Sequence, residues 1–199
     1  MRRLRLDDIA DQRAYERERV SFRAEVIELT RRRRISIGPL VTVVFENRTT
    51  MRFQVQEMAR AERLTTDEQI LHELEVYNPL IPSAGELSMT LFVELTNEAE
   101  LREWLPKLVG IERDVVLTIG DGDETVTVRA AVDPAHGAQL TREATTASVH
   151  YVRLRLTAAE RRRFLAEHVQ IAIEHPNYSY RTDLPVKTKA SLAEDWKDA

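Results

Sequence analysis

The alternation of apolar and polar residues along the chain predicts a set of β-strands. In residues 86–95 the apolar side chains Leu87, Met89 and Leu91 alternate with mostly polar ones, which is the two-residue period of a strand with one buried face. Residues 40–46 are apolar or β-branched on both faces, which is typical of a strand inside a sheet. The same criteria predict further strands at 115–119, 125–132, 147–156 and 169–174.

Helical periodicity marks most of the segments between these strands. Residues 7–33 are predicted to form one long helix that ends in the arginine run 31–34, where cations interact favourably with the helix dipole. The alternative interpretation of this run is a binding site for an anion or an acidic partner. Two capping boxes, in which a threonine is followed three residues later by a glutamate, predict the starts of shorter helices. These capping boxes are Thr65 with Glu68 and Thr157 with Glu160.

The stretch 45–62 has a pattern that fits two secondary structures. Met51, Val55 and Met58 recur at helical spacing, and the apolar pattern continues at that spacing beyond Gln56, which favours a helix. Residues 50–56 also alternate as a strand would, so a strand remains the alternative.

Two features in this part of the chain indicate a place where a partner or ligand could bind. In a helix, Glu57 and Arg60 are three residues apart and can form an ion pair. This pair is either a solvated surface contact or a functional carboxylate at the end of an apolar groove. Residues 77–82, YNPLIP, contain two prolines that restrict the backbone around the apolar Leu80 and Ile81. We expect this segment to be rigid and extended, to lie against the body of the protein, and to offer a docking surface.

Together these elements predict an α+β fold. A mainly antiparallel sheet of about six strands is expected to carry the long N-terminal helix and several short helices packed on it. Residues 1–178 are expected to form a single α+β domain. Residues 179–199 are expected to form a polar C-terminal tail that could include a short helix around residues 191–196.

Composition and charge exclude several functional classes. The 199 residues include no cysteine, which excludes a thiolate nucleophile and cysteine-ligated iron–sulfur clusters in this chain. A net charge of −4 disfavours broad nucleic-acid binding. No apolar run approaches the length of a membrane span, and acidic residues follow the N-terminal arginines where a signal peptide would be apolar. We therefore expect a cytoplasmic protein with no membrane or nucleic-acid partner.

His150 and His175 occupy inward positions of predicted strands. An isolated histidine on an apolar face is more often hydrogen-bonded locally than bound to a metal, so we expect neither a metal nor another cofactor. The alternative is a metal- or small-ligand-binding enzyme in which both histidines and Glu57 hold iron, zinc or a ligand. Whether the two histidines meet depends on the directions of their strands, which the pattern leaves open.

Five motifs in combination resemble a bacterial family, domain of unknown function 3501, over about residues 6–178. The resemblance implies no assigned activity, and it implies a partner among iron–sulfur oxidoreductases or rubrerythrin-like proteins. From it we expect a non-catalytic accessory protein of such a redox system. The motifs are FENR (45–48), QVQEMARAER (54–63), YNPLIP (77–82), SVHYVRL (148–154) and HPNY (175–178).

The candidate binding residues are polar or buriable side chains that lie in these motifs or at inward strand positions. No motif for a nucleotide-binding glycine loop or a catalytic nucleophile accompanies them. The candidates are Glu46, Arg48, Gln54, Glu57, Arg60, Tyr77, Asn78, Leu80, His150, His175 and Tyr178.

Overall fold

The structure is a computed structural model, and it describes residues 1–132, 141–142 and 145–197. The sequence also predicts a polar loop at residues 133–146, and most of this loop lies outside the described residues. The helices are α1 (Gln12–Arg33), α2 (Arg48–Ala61), α3 (Asp67–Tyr77), α4 (Glu98–Lys107), α5 (Ala158–Ala166) and α6 (Val186–Lys197). The strands are β1 (Arg34–Ile37), β2 (Val41–Glu46), β3 (Glu86–Val93), β4 (Val115–Ile119), β5 (Val126–Arg129), β6 (Ala131–Val132), β7 (Thr141–Arg142), β8 (Thr145–Thr146), β9 (Val149–Arg155), β10 (Val169–His175) and β11 (Tyr178–Asp183).

The α+β class is confirmed, but the strands form two principal antiparallel sheets where one sheet of about six strands was predicted. One sheet has the order β1-β2-β3-β9-β6, and the other has the order β11-β10-β4-β5. β7 and β8 form a separate two-stranded sheet. Apolar alternation predicts that a segment is a strand but carries no information on which strands pair, so the division into two sheets was not visible in the pattern.

The predicted strand 125–132 is divided between the two sheets. β5 pairs with β4, whereas β6 pairs with β9. The residue between them, Ala130, donates its backbone N–H to the carbonyl of Val115 at 2.9 Å, so the chain remains bonded to β4 up to the point where it crosses. One continuous stretch of chain therefore joins the sheets at this edge.

Side chains join the two sheets at the opposite edge, where β1 and β11 lie side by side. The Tyr178 hydroxyl donates to the carbonyl of Ile37 at 2.6 Å, and the Thr182 hydroxyl donates to the carbonyl of Ser36 at 2.8 Å. The turn after β1 needs glycine, because Gly38 has a φ of +74° and a Cβ there would lie 2.4 Å from the ring of Tyr180. These hydrogen bonds connect β11 to the backbone of β1 and so join the two sheets at this edge.

The two sheets enclose one apolar core, which we call the two-sheet core. β3 is buried along both faces rather than one, since its second face lies under helices. The fully buried members of the core include Phe45, Met89, Leu91, Leu117, Val152, Leu154, Phe164 and Ile171.

Helices α1, α2 and α3, with residues 1–9, form a layer over the outer face of the five-stranded sheet, and we call it the helical layer. The helical interpretation of 45–62 is confirmed: Asn47 caps α2 by accepting hydrogen bonds from the N–H groups of Thr49 and Thr50. The cap of α3 is Thr66 with Gln69, one residue later than predicted. A second apolar cluster fills this layer: Leu4, Met51, Val55, Leu74, Leu80 and Ile81.

The predicted polar tail 179–199 is ordered through residue 197, and the prediction of a tail is wrong for that part. Most of β11 and all of α6 lie in it, and Leu184 and Leu192 belong to the two-sheet core. α6 also contributes Thr188, whose hydroxyl donates to the carbonyl of Arg32 at the end of α1. The pattern did not predict burial of this segment, because its few apolar side chains are separated by polar residues that make buried contacts. Residues 198–199 lie outside the described residues.

Candidate functional site

A groove of about 430 Å³ lies in the helical layer, between the N-terminal segment, the start of α1, the end of α2 and the start of α3. Its surface combines apolar side chains with charged and polar groups, as ligand- and peptide-binding grooves do. The lining residues are Leu6, Ile9, Ala10, Asp11, Gln12, Arg13, Tyr15, Gln56, Ala59, Arg60, Leu64, Thr65, Thr66, Asp67 and Ile70.

Gln56 fixes one wall of the groove. Its side chain is 2% exposed, accepts the N–H of Ala10 at 2.7 Å and donates to the carbonyl of the same residue at 3.2 Å. This pair of hydrogen bonds satisfies a buried amide at both ends and holds the N-terminal segment against α2. The groove therefore has a wall whose position does not depend on a ligand.

Tyr15, Arg19 and Glu57 form a bonded group beside the groove. The Tyr15 hydroxyl donates to Glu57 Oε1 at 2.6 Å, and Arg19 donates from Nε and Nη2 to the two carboxylate oxygens at 2.8 and 2.9 Å. Hydrogen bonding from Arg19 lowers the pKa of Glu57 to about 2. Burial, reinforced by the Glu57 carboxylate, raises the pKa of Tyr15 above its usual range. At neutral pH this carboxylate is ionised and this phenol is protonated.

The predicted ion pair between Glu57 and Arg60 is wrong. Arg60 lies on the rim of the groove, where its Nε donates to Glu16 Oε1 at 2.6 Å. α1 packs beside α2 and supplies the partner of each residue, Arg19 for Glu57 and Glu16 for Arg60. Contacts between helices thus replaced the contact within one helix that the spacing predicted.

Glu46 lies beneath the groove's helices, at the end of β2, and is almost fully buried. The hydroxyls of Thr50 and Thr90 each donate to one of its oxygens at 2.6 Å. Burial raises the pKa of Glu46, although the two hydroxyls and the nearby Arg33 oppose the shift. Through these two hydrogen bonds the Glu46 carboxylate connects α2 to the five-stranded sheet.

Four candidates attach neighbouring segments to the helical layer. Arg48 lies 2.6 Å from Asp8 through Nη2, and the hydrogen bond between Gln54 and the Tyr77 hydroxyl is long, at 3.5 Å. Asn78 accepts the N–H of Leu4 at 2.7 Å and donates to its carbonyl at 3.0 Å. These contacts tether the N-terminal segment to α2 and to the segment after α3.

The YNPLIP segment lies against the body of the protein, as expected, but its apolar side chains do not form a docking surface. Leu80 and Ile81 are 3% and 2% exposed and pack in the apolar cluster of the helical layer. Asn78–Leu80 forms a turn of 3₁₀ helix rather than extended chain. A partner would meet the outside of this turn and not its leucine.

His150 and His175 lie in different sheets and are held by different partners. His150 Nε2 donates to the carbonyl of Ala147 at 2.9 Å, and burial lowers the pKa of this histidine. His175 Nε2 donates to the carbonyl of Val109 at 3.2 Å, and its Nδ1 accepts the N–H of Asn177 at 3.2 Å. Each has the local hydrogen bonds expected of a core histidine.

The alternative site formed by both histidines and Glu57 is not assembled. Glu57 bonds to α1 in the helical layer, whereas His150 lies near a different carboxylate, with 3.8 Å between His150 Nδ1 and Glu112 Oε2. Within the described part of the chain, no group of three or more His, Cys, Asp or Glu side chains is arranged to hold a metal ion.

Tyr178, the last residue of the HPNY motif, stabilises the fold through hydrogen bonds of its hydroxyl. Its hydroxyl donates to Ile37 and accepts the N–H groups of Leu40 and Val41 at 3.0 and 3.2 Å. It therefore connects β11 to the turn between β1 and β2 and is not available to a ligand through its oxygen.

Sequence reasoning missed the residues that build the groove and its supports. Helical spacing predicts Tyr15 on the apolar side of α1 but does not indicate its partner, and Gln56 carries no signal beyond a polar residue within an apolar stretch. Arg33 belongs to the arginine run whose predicted role is a favourable interaction with the helix dipole. It is 1% exposed and donates to both carboxylate oxygens of Asp195, at 2.6 and 2.8 Å. A partner 162 residues away leaves no pattern in the local sequence.

The comparisons with known proteins agree with the fold. A family model described as a protein of unknown function, DUF3501, matches residues 3–196. A crystal structure of a novel protein of unknown function from Burkholderia pseudomallei K96243 shares 33% identity, covers 98% of this chain and 99% of its own, and has a TM-score of 0.87. No curated protein matches. No helix among the described residues is long and apolar enough to cross a membrane. This chain therefore belongs to the DUF3501 family.

Proposed function

We propose that this protein is a non-catalytic accessory protein in the cytoplasm and that it binds another protein through the groove of the helical layer. The observation that carries the proposal is the character of the groove, which has an apolar floor, a charged rim and walls held by internal hydrogen bonds. Such a surface suits binding, because its shape is already formed before a partner arrives.

The protonation states beside the groove support binding rather than acid–base catalysis. A general acid or base works best with a pKa near the working pH. The pKa of Glu57 is held at about 2 by Arg19, and that of Tyr15 is raised above its ordinary value, so both pKa values lie far from neutrality. Neither group exchanges a proton readily at pH 7.

The proposed partner is an iron–sulfur oxidoreductase or a rubrerythrin-like protein. This choice rests on the family resemblance of the five motifs, and the groove itself would accept a partner segment with an apolar side chain and flanking polar groups. This chain contains no cysteine, so an iron–sulfur cluster in such a complex would be bound by the partner's cysteines.

The test is direct binding between purified proteins. The iron–sulfur oxidoreductase and the rubrerythrin-like protein of the same genome are titrated against this protein by biolayer interferometry. Ala59 lines the groove, and Ala59→Trp should fill part of it and weaken binding about tenfold or more. Ala159→Trp, on the exposed side of α5, is the matched control and should leave the affinity unchanged.

Two results would contradict the proposal. One is equal affinity of both tryptophan variants, which would remove the groove from the interface. The other is near-stoichiometric iron or zinc in the purified protein that is lost in a folded His175→Ala variant, which would support the metal-binding alternative.

A further inference from the structure

The outward face of α1 carries an apolar stripe that nothing in the described chain covers. Val20 is 81% exposed and Ile27 is 47% exposed, and the exposed Ala24 lies between them. The three residues are spaced by four and three positions, so they share one face of the helix. The opposite face of α1 is buried through Tyr15, Phe22 and Val26.

Arginines flank this stripe. Arg17 lies three residues before Val20 and Arg23 three residues after it, so their side chains leave the helix on opposite sides of the stripe. Within the described residues, neither arginine forms an ion pair or a side-chain hydrogen bond. A third arginine, Arg31, lies one turn beyond Ile27 and pairs with the exposed Glu28 at 2.7 Å.

The charge beside the stripe is positive, whereas the net charge of the whole chain is negative. The protein carries a net charge of −4, whereas Arg17 and Arg23 beside the stripe form no ion pair within the described residues. The two glutamates near the stripe are already paired, Glu16 with Arg60 and Glu28 with Arg31. Self-pairing with a second copy of α1 is disfavoured, because it would bring Arg23 close to the same arginine of the other copy.

We propose that the outer face of α1 binds an acidic amphipathic helix of a partner protein. Its apolar side chains, repeating every three or four residues, would cover Val20, Ala24 and Ile27. Its aspartates or glutamates would face Arg17 and Arg23, as the flanking charges of paired helices do. This surface does not rest on the proposed groove, which on α1 is lined by Gln12, Arg13 and Tyr15 and by none of the stripe residues.

The experiment measures, by fluorescence anisotropy, the binding of two designed 21-residue helical peptides to the protein. Both peptides carry leucine at every third or fourth position along one face. One peptide carries glutamate beside these leucines and the other carries lysine. The acidic peptide should bind the full chain, and the double variant Arg17→Glu/Arg23→Glu should weaken that binding by about tenfold. The lysine peptide should prefer the double variant. Val20→Asp should also weaken the acidic peptide.

The controls separate this surface from general charge effects and from the groove. Arg162→Glu reverses an exposed arginine on α5 and should leave the binding unchanged, as should Ala59→Trp in the groove. All substituted side chains on α1 are exposed, so circular dichroism should show unaltered folding.

The proposal is overturned if the acidic peptide does not bind, binds the double variant equally well, or is matched by the lysine peptide on the unmodified protein. It is also overturned if vesicles of phosphatidylserine or single-stranded DNA bind the same face more tightly than the acidic peptide. Those results would assign the arginines to a membrane surface or to nucleic acid.

Discussion

The two-sheet core and the helical layer are stabilised by different kinds of contact. The core is formed by apolar side chains from both sheets, with residues such as Phe45 and Leu117 completely buried. The helical layer has a smaller apolar cluster and depends on buried polar groups, among them Glu46, Gln56 and Arg33. The region whose surface we propose for binding is therefore also the region held by directional, charge-dependent contacts.

This difference has a physical consequence for how each region responds to change. Apolar burial is non-directional, so a core tolerates substitutions that keep volume. A buried ionic contact fails when one partner is removed, because the other charge remains without compensation. The predictions below test whether the two regions differ in this way.

The largest effect is expected at the Arg33–Asp195 contact, which joins the helical layer to α6. Arg33→Met should lower the free energy of unfolding by about 3–5 kcal/mol, because Asp195 keeps a buried charge without its partner. Arg33→Met/Asp195→Leu should recover most of that loss. Urea denaturation measures both, with the exposed Arg32→Met as control. If the double variant is as unstable as the single one, apolar packing and not charge limits this site.

A loss of about 2–5 kcal/mol is expected in the two-sheet core when Leu117 becomes alanine, because the substitution leaves a cavity. Leu165→Ala, at a leucine that is 49% exposed, should change stability by much less. Urea denaturation measures the free energy of unfolding of both variants. Equal effects of the two substitutions would mean that Leu117 is not packed as described.

Tyr178 joins the two sheets, and Tyr178→Phe should cost about 1–3 kcal/mol because the carbonyl of Ile37 and two N–H groups lose their partner. Tyr180→Phe is the matched control, since that hydroxyl forms no hydrogen bond within the described residues. Thermal unfolding measures both. A destabilisation by Tyr180→Phe as large as that by Tyr178→Phe would argue against this assignment.

Acid should destabilise the helical layer through Glu57. The folded-state pKa of about 2 lies below the ordinary value of 4.5, so the contribution of this carboxylate is present above pH 4.5 and is lost as the pH falls towards 2. Glu57→Gln should therefore show a smaller drop in melting temperature between pH 5 and pH 2.5 than the unmodified protein. Glu75→Gln, at an exposed position, should show the same drop in melting temperature over this pH range as the unmodified protein.

The smallest effect is expected at His168, which joins the β4–β5 turn to the end of β11. Hydrogen bonds to Asp121 and Asp183, at 2.9 and 3.0 Å, raise its pKa above 6.5. Its stabilising contribution is therefore complete below pH 6.5 and is lost as the pH rises through the folded-state pKa. His168→Gln should remove a small part of the difference in melting temperature between pH 5.5 and 8.5, whereas the exposed His72→Gln should not.

Most of the secondary structure was readable from the sequence. The strand 86–95 was predicted because its alternation is regular, and the helical interpretation of 45–62 holds because the apolar spacing continues past Gln56. The cap at Thr157 with Glu160 was also predicted, since capping depends on residues three positions apart. In each case the signal and the structure it predicts lie within a few residues of each other.

The candidate site was less predictable than the fold. Arg60 was chosen and lines the groove, and Glu57 was chosen and lies beside it, but with Arg19 as partner instead of Arg60. His150 and His175 were correctly placed on inward strand faces, yet they lie in separate sheets, so they do not form one site.

The sequence alone determined the α+β class, the helical nature of α2 and the inward positions of His150 and His175, because local periodicity is a property of short segments. Tertiary structure alone decided that 125–132 divides between two sheets, that the predicted tail completes the core, and that Arg33 bonds to Asp195. These outcomes depend on contacts between residues far apart in the chain. Such contacts are selected by the packing of whole elements, and no local pattern records them.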